Sequence, residues 1–333
     1  MRLEEALDFV LSPYALERFS ALTGQAALVV DLDSQTGAPP SDVAIRFRQA
    51  LAQLPCPSVA ICAEQNPASE ALADRFDVLV AEASESETIL AAIAAAPLAC
   101  QALVQLLRLG DRLAGHDALV AESLAYSTLQ SGPEFAAWRA ARPRPDPPPD
   151  ESGPAVRVER FQDELVLSLN RPLRHNAFSV EMRDGLVEGL QMAVADERLS
   201  RIVLRAEGPS FSSGGDLSEF GDFPDPSTAH AVRSTRNPGR LLLRCAARTE
   251  ARVHGACIGA GAELPAFAAR VVAAEGTFFQ LPEVSMGLVP GAGGTTSLPR
   301  RIGRQRVARM ALSGERIEVG TALRWGLVDE IAR

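Results

Sequence analysis

At 333 residues, with 47% hydrophobic and 23% charged side chains, the chain is long enough for about two domains with full apolar cores. Its formal net charge of −9 excludes general nucleic-acid affinity, which needs clustered Lys and Arg to neutralise phosphates. Five scattered cysteines, without CxxC or Cys/His ligand spacing, point to a reducing, cytoplasmic compartment and away from structural zinc.

Met1–Phe9 carries Glu4, Glu5 and Asp8 among its apolar residues, which predicts an amphipathic helix reaching about Phe19 and no signal peptide. A strand at Ala26–Leu32, a turn at Gly37–Asp42, a helix over Val43–Leu54 and a strand at Ser58–Cys62 follow. A helix at Ser69–Arg75 and a strand at Asp77–Ala81 continue the alternation, which indicates α/β architecture. Helices then fill Glu87–Leu113 and Asp117–Ala141. Within them Thr88–Leu107 has the length of a membrane span and no charge. It is Ala-rich, broken by Pro97, and carries Gln101 and Gln105 on one face, so it reads as two packed helix segments with no membrane partner. The Pro-rich stretch 143–154 (PRPDPPPDESGP) reads as a linker between a domain over 1–142 and a second over 155–333.

The second half opens with a strand pair, Val156–Phe161 and Glu164–Asn170, joined at Gln162–Asp163. Ser179–Ala195 is a predicted helix, Arg201–Ala206 a strand, and Glu207–Asp216 a loop of small residues. Helices cover much of Thr228–Ala247, and Pro299–Leu312 and Val319–Trp325 complete the helical count. Between them, Val253–Thr296 carries the chemistry. Gly255–Ala262 (GACIGAGA) lets backbone N–H groups approach a ligand closely as the chain enters a helix. Glu263 then lies between GAGA and LPAFAA, and Glu283 lies within FFQLPEVSMG. Most acids are solvated surface groups, but in apolar company an unpaired charge is costly to bury. Two such acids beside clustered backbone donors make an acid/base site able to hold an oxyanion.

At these residues the chain resembles the enoyl-CoA hydratase/isomerase, or crotonase, superfamily. The matching pieces are NAFS at Asn176–Ser179, FSSGGDL at Phe211–Leu217, HGACIGAGAEL at His254–Leu264 and LPEVSMGLVPGAGGT at Leu281–Thr295, in the family's order over roughly Val156–Ile331. The resemblance implies an α/β fold: a crotonase-like ββα spiral core with a helical layer, plus a smaller α/β N-terminal domain. It implies an acyl-CoA thioester as substrate, no cofactor or metal, and assembly as a homo-oligomer, trimeric or hexameric. The backbone N–H groups of Ser213 and Ala260 would bind the thioester oxygen, Glu263 would deprotonate a water attacking the β-carbon, and Glu283 would handle the α-proton. Arg174, Ala177 and Phe178 match the edge of the coenzyme A site; Gly214, Gly215, Asp216 and Gly259 match the substrate-holding loops. Two acids favour hydration over double-bond isomerisation. Another acyl-CoA reaction, including isomerisation or C–C cleavage, and a non-catalytic acyl-CoA-binding subunit remain open readings.

The resemblance has departures. Family chains continue past the GLVDE element with helices that cover the site; here Glu87–Ala141 resembles that cover, above all AESLAYSTLQSGPEFAAWRA at Ala121–Ala140, and is expected to pack on the 155–333 core. Residues 1–142 resemble a degenerate crotonase copy, in which Pro67 falls opposite Ala260 and has no N–H to donate. PGAGGTT lacks the Lys of a phosphate loop, His254 reads as a strand-end histidine, and Arg300, Arg301, Arg304, Arg306 and Arg309 read as a solvated helix face.

Overall fold

Gln162, in the left-handed region at φ 56°, turns the chain between Val156–Phe161 and Glu164–Leu169, which pair antiparallel. The computed structural model describes residues 1–332 except 36, 64, 143–150 and 223–224; most of the linker expected over 143–154 therefore lies outside the described residues. Glu164–Leu169 is buried along nearly its whole length, as a run without polar alternation requires of a strand covered on both faces. It sits second in a six-stranded sheet ordered Val156–Phe161, Glu164–Leu169, Arg201–Ala206, Thr249–Val253, Arg270–Ala274, Glu330–Ala332, all parallel after the first pair. Right-handed crossovers through helices are what parallel neighbours demand. Helix Val180–Ala195 makes the first of these, with Ser179 capping it through the N–H of Met182. A three-stranded sheet of Ile317–Glu318, Phe278–Gln280 and Ala256–Ile258 stands beside the larger one.

Residues 28–80 form a separate three-stranded parallel sheet, Leu28–Asp31, Ser58–Ile61 and Val78–Val80. Its apolar core is drawn from residues 3–76, among them Phe19, Phe47 and Phe76. The four helices Ala83–Ala95, Pro97–Gly110, Gly115–Gln130 and Pro133–Ala140 belong elsewhere: Ile89, Leu103, Leu119 and Phe135 share one continuous apolar core with residues 155–328. The first two of these helices bend by 111° where Pro97 removes a backbone donor, and among the described residues no single helix is long and apolar enough to cross a membrane.

Two sequence expectations are corrected. The helix expected at Pro299–Leu312 starts earlier, at Gly294, carries Pro299 inside, and restarts at Arg304 after Gly303. Its early start follows from buried carboxylates that satisfy the N–H groups of Gly294 and Thr295, which would otherwise be orphaned at a helix N-terminus. The arginines of 300–309 are also not a uniformly solvated face. Arg304 is held against Asp77, and Asp77 in turn accepts from Arg108, so one buried carboxylate joins the small N-terminal sheet, the helical layer and the core. Arg301 donates to the carbonyls of Ala266 and Ala268, and Arg309 pairs with Glu85. Nothing near Arg304 and Arg309 in the sequence marks them as paired, because Asp77 and Glu85 lie more than two hundred residues away in the chain.

Candidate active site

Asn176 is completely buried in the left-handed conformation, and its side chain does the work of a splice. Its Oδ1 accepts from the N–H of Arg171, and its Nδ2 donates to the carbonyls of Glu207 and Ser210. That ties the NAFS turn to the FSSGGDL loop. The loop then runs beside the strand Ala256–Ile258: Ser212 N–H donates to Ala256 O, and Ile258 N–H donates to Ser212 O. Phe178 N–H donates to Gly214 O and Asp216 N–H to Phe178 O, which pins Gly215 between them.

Ser213 is exposed, and its N–H donates to His175 O at 2.9 Å, so it is not the oxyanion donor expected from the sequence. Gly214 N–H goes to Ser212 Oγ and Gly259 N–H to Gln280 O; these glycines shape the loops but offer no amide to a ligand. Gly215 and Ala260 are different. Both line one cleft of about 970 Å³, open mouth included, and neither N–H has a partner among the described residues. Ala260 opens a four-residue helical turn, where unpaired N–H groups are intrinsic, and Gly259 before it adopts φ 51°, ψ −119°, a conformation favouring glycine. A two-position shift within SSGGD escaped the sequence because every residue there carries an N–H; the pairings of Ser213 with His175 O and of Gly214 with Ser212 Oγ remove two candidates and leave Gly215.

Both expected acids face the same cleft. Glu263 is 2% exposed, and its Oε2 accepts from the N–H groups of Ala292 and Gly294, each at 2.7 Å. Burial nevertheless raises its pKa to about 7. The Glu283 carboxyl lies against Gly259 and has a buried Oε2 without any hydrogen-bond partner. Burial, and then the charge of Glu263, push its pKa well above the usual carboxylate range. Of the two, Glu263 is therefore built to ionise and Glu283 to hold a proton.

Of the remaining candidates, Phe178 and Asp216 also line the cleft, but the Asp216 carboxylate is spent on Ser218, whose N–H and hydroxyl donate to it. Arg174 and Ala177 lie off the cleft, in and just after the short 3₁₀ turn Pro172–Arg174. His254 is bonded to Gly208 O, outside it.

The helix Gly115–Gln130 supplies residues that sequence reasoning did not single out. Tyr126 and Gln130 line the cleft, and Glu122 stands behind it, accepting from Gly293 N–H, Thr295 N–H and the Thr295 hydroxyl. Burial, and then the charge of Glu263, raise the Glu122 pKa to about 8. Arg233, from helix Pro226–Thr235, lies over the Tyr126 ring on the same wall. The segment bearing Glu122 and Tyr126 did stand out as a cover for the core, yet nothing in its local pattern marked those two side chains as inward.

The profile of the family described as enoyl-CoA hydratase/isomerase matches residues 162–333. The 2,3-dehydroadipyl-CoA hydratase of Escherichia coli is 36% identical over 52% of this chain and 68% of its own length. The 1,2-epoxyphenylacetyl-CoA isomerase of the same organism is 33% identical over 50% of this chain and 65% of its own. Among solved structures, an enoyl-CoA hydratase from Mycobacterium smegmatis is 30% identical with a TM-score of 0.50, covering 54% of this chain and 70% of that one. The chain thus spans about two thirds of the length of these relatives.

Proposed function

The chain belongs to the enoyl-CoA hydratase/isomerase family of α/β crotonase-fold acyl-CoA enzymes, and from that premise we propose that it adds water across the 2,3-double bond of an acyl-CoA thioester. The observation that carries the reading is the pairing of two differently held carboxyls with two free amides in one cleft. Relatives bear the names of both hydratases and isomerases, so names alone do not choose the reaction.

The thioester oxygen sits between the N–H groups of Gly215 and Ala260. As electrons move onto it, these preorganised donors strengthen; one such donor is typically worth about 3 kcal/mol at the transition state. Glu263, ionised and oriented by Ala292 and Gly294, takes a proton from water as the oxygen attacks the β-carbon. The enolate then takes the proton of Glu283 at the α-carbon. The proton left on Glu263 returns to Glu283 before the next turnover, and two acids sharing one cleft favour a single proton between them. An isomerase needs one group to shuttle a single proton; a second acid held ready for water is what favours hydration here.

The test is loss of the conjugated enoyl-thioester absorbance on mixing the protein with a series of 2-enoyl-CoA substrates. Loss with formation of the 3-hydroxyacyl product supports the reading. Conversion of 3-enoyl to 2-enoyl thioesters without hydration of either overturns it.

A further inference from the structure

Three arginines line one wall of the cleft, and two of them are neutralised. Arg183 and Arg236 both donate to Asp184, at 2.9 and 3.0 Å, and Arg236 also reaches Glu188. Arg233 makes no ion pair among the described residues. Its Nε donates to Ser123 Oγ, one terminal nitrogen to Ser127 Oγ, and the other reaches Gln130 Oε1 at 3.5 Å, all of them neutral oxygens. Two of its five N–H groups stay uncommitted. Its guanidinium carbon lies 4.8 Å from the Tyr126 ring centroid. Glu122, on the same helix as Tyr126, has both oxygens engaged by Gly293 and Thr295 and acts on Arg233 only at longer range. Burial accordingly presses the Arg233 pKa below the ordinary arginine value.

A half-buried guanidinium fixed by neutral hydroxyls and left without a counter-ion is a costly arrangement, unless a ligand supplies the anion. Tyr126, under the Arg233 guanidinium, lines the same cleft as Glu263 and Glu283 and feels the charges of all three. An acyl chain with its thioester at Gly215 and Ala260 and its double bond at the acids can therefore extend past Tyr126 to Arg233. We propose that the acyl group ends in a carboxylate and that Arg233 receives it, so that the substrate class is the monothioester of an unsaturated dicarboxylic acid. This rests on the hydration reading above.

The experiment compares hydration of two 2-enoyl-CoA thioesters of equal chain length, one ending in a carboxylate and one in a methyl group, by wild type and by Arg233→Gln. Wild type is expected to prefer the carboxylate in kcat/KM by at least about tenfold, as a charge-assisted hydrogen-bonded pair provides. Arg233→Gln is expected to lose that preference mainly through KM on the carboxylate substrate, with a clearly smaller loss on the methyl substrate. Equal use of both substrates by wild type overturns the proposal. Equal loss on both by the variant does so too, because coenzyme A is common to them and its phosphates would then be the anion. If neither thioester is hydrated, the reaction assignment fails on its own. Calorimetric binding of the two saturated acyl-CoA analogues then decides the tail: a preference for the carboxylate that Arg233→Gln abolishes supports the proposal, and equal affinities overturn it.

Discussion

Glu122 and Glu263 grip alternate amides of a single turn: Ala292 and Gly294 donate to Glu263, while Gly293 and Thr295 donate to Glu122. Successive N–H groups of the chain thus point to opposite sides, and each side is closed by a buried carboxylate. Glu263 is oriented towards the cleft by a turn that Glu122 holds from behind. Glu122→Gln replaces an acceptor oxygen with an amine facing backbone N–H groups, which costs about 1–3 kcal/mol of stability. We expect kcat to fall about tenfold or more with KM little changed. Glu122, with its pKa at about 8, is neutral while Glu263 titrates near 7, so the acidic limb of the kcat–pH profile should stay in place. A displaced limb would show that Glu122 acts on Glu263 as a charge.

Glu263→Gln and Glu283→Gln should each lower kcat by about 10² or more, the range associated with general acid–base groups. Circular dichroism should be unchanged. Turnover near the wild-type value in either folded variant contradicts the assignment.

Gly259 is predicted to be intolerant of a side chain. It sits at φ 51°, and a Cβ there would lie 2.6 Å from Glu283 Oε1. Gly259→Ala should therefore displace the Glu283 carboxyl, strain the entry to Ala260, and remove activity more completely than it lowers the melting temperature. A variant with normal kcat would show that the acid can move freely.

The raised carboxyl pKa values fix the sign of two pH dependences. Glu263 must be ionised and Glu283 protonated, so kcat/KM should be bell-shaped with its acidic limb near the Glu263 value of about 7. For stability, a carboxyl with its pKa raised on folding binds more protons in the native state. Its contribution is complete below the unfolded value near 4.5 and is lost as pH rises through about 7 to 8. Melting curves of wild type and Glu283→Gln should diverge as pH rises above the ordinary carboxylate range, the variant losing less stability, because burial and then the charge of Glu263 raise the Glu283 pKa. Parallel curves would mean that Glu283 keeps an ordinary pKa.

Residues 155–333 expressed alone should aggregate or self-associate, because Leu103, Leu119 and Phe135 are part of the same apolar core as Leu242, Phe267 and Leu298. Light scattering and turnover would report this. A monomeric, fully active fragment would show that the helices 83–140 are dispensable to the site.

The sequence by itself determined most of the elements and singled out the two acids that the fold brings to one cleft. Strands 201–206, 270–274 and the 156–169 hairpin were legible because apolar runs and turn residues act locally. Glu263 and Glu283 were legible because an acid inside GAGAELPAF or FFQLPEVSMG is anomalous in its own neighbourhood. What only the tertiary structure decided are properties of pairs remote in the chain. Whether Ser213 or Gly215 offers a free amide depends on His175 taking the first, and every residue in SSGGD looks alike until that bond is made. Glu122 is one acid among many until Gly293 and Thr295 close on it. Arg304 appears solvated until Asp77 meets it. Arg233 stands out from Arg183 and Arg236 only because Asp184 reaches those two and no carboxylate reaches it among the described residues. Residue type sets which groups can donate or ionise; which of them are left unsatisfied is set by contacts across the fold, and unsatisfied groups are the ones available to a substrate.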